Sequence, residues 1–186
     1  MDKELIEKYR DINTDHEWWD YLYHDFTERM EAVGIDVDKM YFSGFYSQGD
    51  GACFEGRVDR PLRFLRKHFP GKYPMLRKLV GLEGTLLFRC AHSGHYYHEN
   101  STTFELYADS FHALYDPEDG LRSDVVEMLD ELLDKELSDF EEDAKEIFRD
   151  YMRELYHELR ENYEYLTSDE AVWEGIVANE LDKEAA

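Results

Sequence analysis

The fold is decided by residues 39–58, which read KMYFSGFYSQGDGACFEGRV. Aromatic residues crowd the first part of this stretch, from Lys39 to Tyr46, and this composition is typical of a β-strand. Residues 48–51 (QGDG) are a turn signal, because glycine reaches the backbone conformations that tight turns require. We expect Ala52 to Val58 to pair back as the second strand of a hairpin. The sequence therefore predicts an antiparallel sheet that starts with this hairpin.

Strand and turn signals continue further along the chain. Residues 85–91 (TLLFRCA) predict a third strand, and Ser93-Gly94 is a second turn signal. Tyr96 to Tyr107 predicts a long fourth strand. We therefore expect an antiparallel sheet of about four strands in the middle of the chain.

Helices are predicted before this sheet and between its strands. Thr14-Asp15-His16-Glu17 has the spacing of a capping box, so a helix should follow to about Val33, with Gly34 as its C-terminal cap. A shorter helix is predicted over residues 2–11. Proline suits the first turn of a helix, so two further short helices should start at Pro61 and Pro74.

The C-terminal third is predicted to be helical. Its apolar residues recur three or four apart, beginning with Leu121, Val125, Met128 and Leu132. A second capping box, residues 138–141 (SDFE), predicts a break between two helices. Ser168 should cap a last helix that ends at about residue 179.

These patterns predict an α+β protein, in which an N-terminal helix packs on a small antiparallel sheet of about four strands and an acidic C-terminal helical region follows. We place the seam at residues 116–122, between an α+β domain (residues 1–120) and an acidic helical region (residues 121–186) packed against it. No apolar run approaches the roughly 18–20 residues that span a bilayer. With two cysteines and no signal-peptide pattern at its start, the chain is expected in the cytoplasm.

Charge is strongly segregated along the chain, whose net charge is −23. Residues 121–186 carry 22 acidic and 7 basic residues, whereas residues 57–90 carry 9 basic and 2 acidic residues. A chain this acidic is repelled by phosphate backbones and anionic lipid heads, so we expect neither direct nucleic-acid binding nor membrane binding. It attracts basic partners, or it imitates a polyanion.

The acidic helices give the leading functional hypothesis. Carboxylates three or four residues apart lie about 5–6 Å from one another along a helix axis, and two such helices approach the charge density of duplex DNA, one charge per ~1.7 Å. The same pattern is typical of ordinary acidic surface helices that their charge keeps soluble, and this interpretation stays open. The functional interpretation is a non-enzymatic inhibitor that binds a basic, nucleic-acid-handling protein, with nucleic-acid mimicry as one form. An antitoxin-like protein that neutralises a basic toxin is the alternative, and self-association through the long apolar stripe also stays open. The predicted partner-binding residues are Asp124, Glu127, Asp130, Glu131, Asp134, Glu141, Glu142, Asp143, Glu146 and Asp150.

The hairpin loop and a group of histidines are the candidates for chemistry. The loop has too few carboxylates for a calcium loop and lacks the Lys-Ser/Thr pair of a phosphate loop. His92, His95 and His98 are candidate zinc ligands, but in a regular strand His95 and His98 point to opposite faces. We therefore expect no cofactor. A small metal-dependent enzyme that uses this loop and these histidines is the third hypothesis. The loop residues are Ser47, Gln48, Gly49, Asp50 and Gly51.

A basic patch precedes the third strand. Arg60, Arg63, Arg66 and Lys67 are three or four residues apart and share one helix face. A phosphate contact, an internal clamp that neutralises the acidic helices, and a solvated face are the three interpretations. We favour the last two, because the surrounding field is negative. Further members of the patch are Lys72, Arg77 and Lys78.

The hairpin block resembles a motif of uncharacterised proteins encoded by bacteriophages and related mobile elements. Those proteins share a tryptophan-bearing helix, a Gly-Ile step and a Phe-Ser-Gly-Phe-x-Ser-Gln-Gly-Asp-Gly-Ala run. This chain has them at Trp18-Trp19-Asp20, Gly34-Ile35 and residues 42–52, and the resemblance covers about residues 16–58. It implies a phage accessory protein that acts in the bacterial cytoplasm, a context in which small acidic proteins disable CRISPR or restriction complexes. It implies no catalytic residue.

Overall fold

The computed structural model describes residues 1–115 and 122–181, and it has the predicted α+β class. Four antiparallel strands form a sheet in the order β1-β2-β3-β4. The strands are β1 (Ile35–Phe42), β2 (Ala52–Val58), β3 (Leu86–His92) and β4 (Thr102–Ala108). The helices are α1 (Lys3–Lys8), α2 (Asp20–Val33), α3 (Pro61–His68), α4 (Pro74–Gly81), α5 (Phe111–Leu114), α6 (Ser123–Leu166) and α7 (Asp169–Ala178).

The hairpin is present, but its first strand lies four residues earlier than predicted. Gly34 ends α2 with a left-handed conformation (φ 91°), and the chain enters β1 at the next residue. The register then runs from Ile35 opposite Val58 to Phe42 opposite Ala52, with an irregularity between Val37 and Lys39. The aromatic residues of the segment 39–46 favoured a strand over its whole length, but its last four residues belong to the loop.

The fourth strand is shorter than predicted. Bends and a short 3-10 helix (Glu99–Ser101) occupy residues 93–101, and β4 pairs with β3 from Thr102 opposite His92 onward. Tyr96 and Tyr97 leave the sheet because they pack on other parts of the chain: the Tyr97 ring stacks on Tyr41 with centroids 5.1 Å apart. Tertiary packing thus overrides the β-propensity of the tyrosines.

The capping box at residues 14–17 does not start a helix. Residues 9–19 form turns, and α2 begins at Asp20 after Trp19, which makes no side-chain capping bond. Trp18 is instead buried before the helix, and its ring packs edge-on against Phe42 at 5.8 Å. The predicted end of this helix at Gly34 is confirmed, because the Gly34 N–H donates to the Met30 and Glu31 carbonyls.

The long helix α6 is continuous through the predicted break. It has 44 residues, a length of about 66 Å, and Ser138 is exposed in its middle. The buried side chains of Leu133, Phe140, Ala144 and Phe148 keep one helical period across this position. The predicted split is therefore wrong, since no change of direction interrupts the apolar stripe.

One buried cluster joins the inner face of the sheet to α6. Phe54 and Phe88 from the sheet contact Phe148 of α6 with ring centroids 5.5 and 5.1 Å apart. A second, smaller cluster joins α1 to α7. The predicted seam at residues 116–122, and with it Leu121, lies outside the described residues except for Arg122.

Candidate functional site

Most of the predicted partner-binding carboxylates in α6 bind groups of the same chain. Seven of the ten do so, and all four that lie between residues 142 and 150 are among them. The pairs are Asp124 with Arg122, Asp130 with His112, Glu141 and Glu142 with Lys145, Asp143 with Lys72, and Glu146 and Asp150 with Arg153. Residues 141–150 of α6 therefore form a mixed, ion-paired surface.

Asp143 shows that some of these acids have a structural role. Its carboxylate accepts hydrogen bonds from the Tyr73 hydroxyl at 2.6 Å and from Lys72 Nζ at 2.9 Å. These two donors, the hydroxyl first, lower the pKa of Asp143. Burial of the phenol, with a further contribution from Asp143, raises the pKa of Tyr73. Asp143 therefore links α6 to the segment that leads into α4.

Two more carboxylates of α6 cap shorter helices. Glu136 accepts the backbone N–H groups of Met75 and Leu76 at 2.9 and 3.1 Å, at the start of α4. Asp130 accepts the backbone N–H of Phe111 at 2.6 Å at the start of α5, and it also contacts the His112 ring. The first turn of a helix has N–H groups without a helical partner, and carboxylates stabilise them.

The unpaired negative charge is concentrated in the first half of α6. Residues 123–139 contain seven acidic residues and one lysine. Within the described residues, Glu127, Glu131 and Asp134 make no ion pair, and all three are exposed. Two large apolar side chains lie among these acids: Met128 is 50% exposed and Leu132 is 46% exposed. We call this segment, residues 124–134, the acidic-apolar face.

Met128 and Leu132 belong to the apolar stripe that the sequence predicts, and they are exposed instead of packed on the core. The helix buries Val126, Leu129 and Leu133, each of which directly follows a member of that stripe. The signal was present in the sequence as three apolar pairs, residues 125–126, 128–129 and 132–133. Neighbouring residues on a helix lie about 100° apart, so each pair places one side chain on the core and one near solvent.

The basic patch is exposed for the most part, and its cations have different partners. Arg77 donates to the main-chain carbonyls of Leu65, Phe69 and Lys72, at the end of α3. Within the described residues, Arg66 and Lys67 pair with no carboxylate. The internal clamp therefore applies to Lys72, which pairs with Asp143, whereas α3 presents a solvated basic face.

The hairpin loop is held by its own carboxylate. Asp50 accepts the backbone N–H groups of Tyr46 and Ser47 at 2.9 and 2.6 Å. Gly49 has a φ of 95°, and the Tyr96 ring lies so close that a Cβ atom there would approach its carbon atoms to 3.0 Å. Of the predicted loop residues, Asp50 and Gly49 thus have a clear structural role.

An aromatic cluster links the motif to α6, and sequence reasoning missed it. The Trp18 ring packs on Trp19 and Phe42, and the Phe45 ring packs on Tyr163 with centroids 5.1 Å apart. Phe45 also stacks on Tyr156 of α6. The tryptophan pair and the Phe-Ser-Gly-Phe run are therefore neighbours in space, which gives this part of the motif a packing role.

The three candidate zinc ligands have different surroundings. His92 Nδ1 lies 3.9 Å from the Cys53 sulfur, His95 packs on the Tyr96 ring, and His98 pairs with Glu99. In the described part of the chain, no group of three or more His, Cys, Asp or Glu side chains is arranged to hold a metal ion.

The chemistry available to Cys53 is limited by its burial. Burial of the thiol, and then the charge of Glu55, raise the pKa of Cys53 to about 11. At neutral pH the thiol stays protonated, and a protonated thiol is a weak nucleophile.

Comparison with known proteins places the chain beside uncharacterised sequences. A protein-family profile described as "Domain of unknown function (DUF8835)" matches residues 18–169. No curated protein and no solved structure matches the chain. Among the described residues, no helix is long and apolar enough to cross a membrane. The profile spans the sheet and α6, and it leaves out α1 and nearly all of α7.

Proposed function

Because the chain belongs to the family described as "Domain of unknown function (DUF8835)", we propose its function from its surface: it is a non-enzymatic inhibitor of phage type that captures a basic, nucleic-acid-handling host protein. One observation carries this proposal. The acids of α6 that have no ion pair within the described residues gather in its first half, where Glu127, Glu131 and Asp134 are exposed.

The amount of charge favours capture of a protein over close imitation of DNA. From residue 127 to residue 139 the helix rises about 18 Å, and duplex DNA carries about ten phosphate charges over that length. This stretch of α6 has six acidic residues and one lysine, and Asp130 and Glu136 bind groups of the same chain. The surface is therefore less charged than DNA, and it suits one basic segment of a partner.

The net charge of −23 supports the same proposal at long range. An acidic molecule attracts a cationic one before contact, and this attraction raises the association rate more than the final affinity. The resemblance of residues 16–58 to phage-encoded proteins supplies the biological context. A basic toxin encoded beside this gene would use the same face, so the identity of the captured protein separates an inhibitor from an antitoxin.

Capture from a host lysate tests the proposal. The immobilised chain is incubated at about 50 mM salt, where screening is weak, with host proteins first enriched on heparin. The chain is compared with the triple variant Glu127→Lys, Glu131→Lys and Asp134→Lys. We expect the unchanged chain to retain a basic protein that the variant retains at least tenfold less, and the retained protein to lose its nucleic-acid binding in proportion to the chain added.

A charge-matched variant controls for the net charge. Glu17→Lys, Glu170→Lys and Glu174→Lys change three exposed acids outside α6 by the same total charge. We expect this control to capture the same protein as the unchanged chain. Equal retention by all three proteins would contradict the proposal, because it would assign capture to another surface. An equal loss in both variants would also contradict it, because it would assign capture to net charge.

A further inference from the structure

The first half of α6 has two apolar stripes, whereas one is enough to attach it to the core. Val126, Leu129 and Leu133 form the buried stripe. Met128 and Leu132 are four residues apart and form an exposed stripe, which the half-buried Val125 extends. A surface helix normally has one apolar stripe, and exposed apolar side chains that adjoin one another mark interaction sites.

Acidic side chains follow one flank of the exposed stripe. Glu127, Glu131 and Asp134 are three and four residues apart, so they form a row beside Met128 and Leu132. On the opposite flank, Glu136 is bonded to the N-terminus of α4. Lys135, four residues after Glu131, is the one exposed lysine on this flank among the described residues, so the three carboxylates leave the flank with a net negative charge.

This charge pattern selects among the occupants that could cover the stripe. A second copy of the chain would bring its own acidic row toward this one, in a molecule that already has a net charge of −23. An anionic lipid surface would be repelled in the same way. A segment that is apolar along its centre and basic along one flank matches both features of the face.

We propose that the partner binds the acidic-apolar face with a basic amphipathic α-helix. This inference rests on the proposed function and names the element that is captured. The partner helix has apolar residues at spacings of three and four, which lie against Met128 and Leu132. It has lysines or arginines along the flank that faces Glu127, Glu131 and Asp134. Helix pairing of this kind combines apolar anchors with charge pairs at the edge.

Two synthetic peptides of about 21 residues test the proposal. The first is a helix-forming lysine-leucine peptide with leucines three and four apart and lysines beside them. The second has the same composition in an order that removes the apolar stripe. We expect the full chain to bind the first peptide about tenfold more tightly than the second, because burial of two half-exposed apolar side chains has roughly this effect on affinity.

Two double variants with equal chemistry locate the contact. Met128→Ser with Leu132→Ser should bring the affinities for the two peptides to within about twofold. Leu82→Ser with Val177→Ser changes two apolar residues that are similarly exposed elsewhere, 43% and 58%, and should keep the tenfold preference. Circular dichroism checks that each variant is folded.

Each outcome of the peptide experiment has a distinct meaning. Equal binding of both peptides by the unchanged chain overturns the helix-docking proposal and leaves electrostatic capture intact. Binding of neither peptide at low salt overturns the proposed function as well. Concentration-dependent dimerisation that the Met128→Ser, Leu132→Ser variant abolishes would show a second copy on the stripe, and it would overturn the proposal of a basic partner helix.

Discussion

Asp50 shows how one side chain of a motif can have a structural explanation. Its carboxylate accepts two backbone N–H groups of the same loop, from Tyr46 and Ser47. An enzyme that used the Gly-Asp-Gly loop would need this carboxylate for its substrate or metal. The contacts in the structure use it to hold the turn, at the place where Tyr96 packs on Gly49.

We expect Asp50→Ala to lower the free energy of unfolding by about 1–2 kcal/mol, because two N–H groups lose a charged acceptor. Urea denaturation of the variant measures this loss. Ser47→Ala in the same loop is the control and should have little effect, since the contact with Asp50 uses the backbone of Ser47. An Asp50→Ala chain of unchanged stability would show that the carboxylate does not hold the loop.

His68 should make stability depend on pH. Burial of its ring, and then the charge of Lys67, lower the pKa of His68 to about 4, whereas a histidine in the unfolded chain has a pKa near 6.5. Between these two values the unfolded chain binds a proton that the folded chain does not bind. Stability is therefore highest above pH 6.5 and falls as the pH drops toward 4.

We expect this histidine to contribute a loss of about 1–2 kcal/mol between pH 7 and pH 4.5, less than the full pKa shift implies because the ring is only half buried. The contribution is the difference in unfolding free energy between the unchanged chain and His68→Gln over this range. Carboxylates that line the same groove as His68, such as Asp143, are present in both proteins, so their contributions cancel in this difference. Parallel stability curves for the two proteins would contradict the assignment.

At the scale of the elements, boundaries set by local residues were predicted correctly, whereas boundaries set by contacts between distant parts of the chain were not. Gly34, Pro61 and Pro74 marked the helix boundaries correctly, because a cap or a fixed φ angle acts locally. The predicted start of α2 was too early, because Trp18 is buried against Phe42, more than twenty residues away in sequence, before the helix begins. The predicted fourth strand began too early for the same reason, because Tyr97 stacks on Tyr41 instead of pairing in the sheet.

The continuity of α6 leads to a prediction with a definite sign. Ser138 is exposed inside the helix, where alanine is the better residue. We expect Ser138→Ala to raise the free energy of unfolding by about 0.3–0.5 kcal/mol, measured by thermal or urea denaturation. A serine that capped a separate helix would give the opposite sign, a loss of about 1 kcal/mol.

Glu136 gives a second prediction at this scale, because its carboxylate caps α4 from another element. The residue at the N-cap of α4, Tyr73, makes no capping hydrogen bond with its side chain. We expect Glu136→Ala to cost about 1–2 kcal/mol of unfolding free energy. Asp139→Ala, three residues along on α6, is the control and should be nearly neutral. Similar losses in both variants would show that Glu136 has no capping role.

The candidate site was predicted only in part at the element scale. The density and spacing of acidic residues predict an acidic helical region with ten candidate partner-binding carboxylates. The choice among them depends on partners that the sequence does not show: Lys72 for Asp143, and the N-terminus of α4 for Glu136. The apolar pairs at residues 128–129 and 132–133 were the available signal for a second, exposed stripe.

At the scale of the whole molecule, opposite charges lie in different regions. The first half of α6 carries the free acids, and α3 presents the exposed side chains of Arg63, Arg66 and Lys67. The outer face of the sheet has cross-strand pairs such as Arg89 with Glu105. We propose that long-range attraction to this negative molecule brings a basic protein near, and that the acidic-apolar face selects the segment of that protein that docks.

Photocrosslinking in host cells is the sharpest test of the proposed docking of a basic helix on the acidic-apolar face. A photoreactive amino acid replaces Met128 in one chain and Glu174 of α7 in a second chain, and each is irradiated in living cells. We expect the chain labelled at position 128 to crosslink to a basic, nucleic-acid-handling protein through a helix of that protein, and the chain labelled at position 174 to give no such crosslink. No crosslink at position 128, or the same crosslinks at both positions, would contradict it.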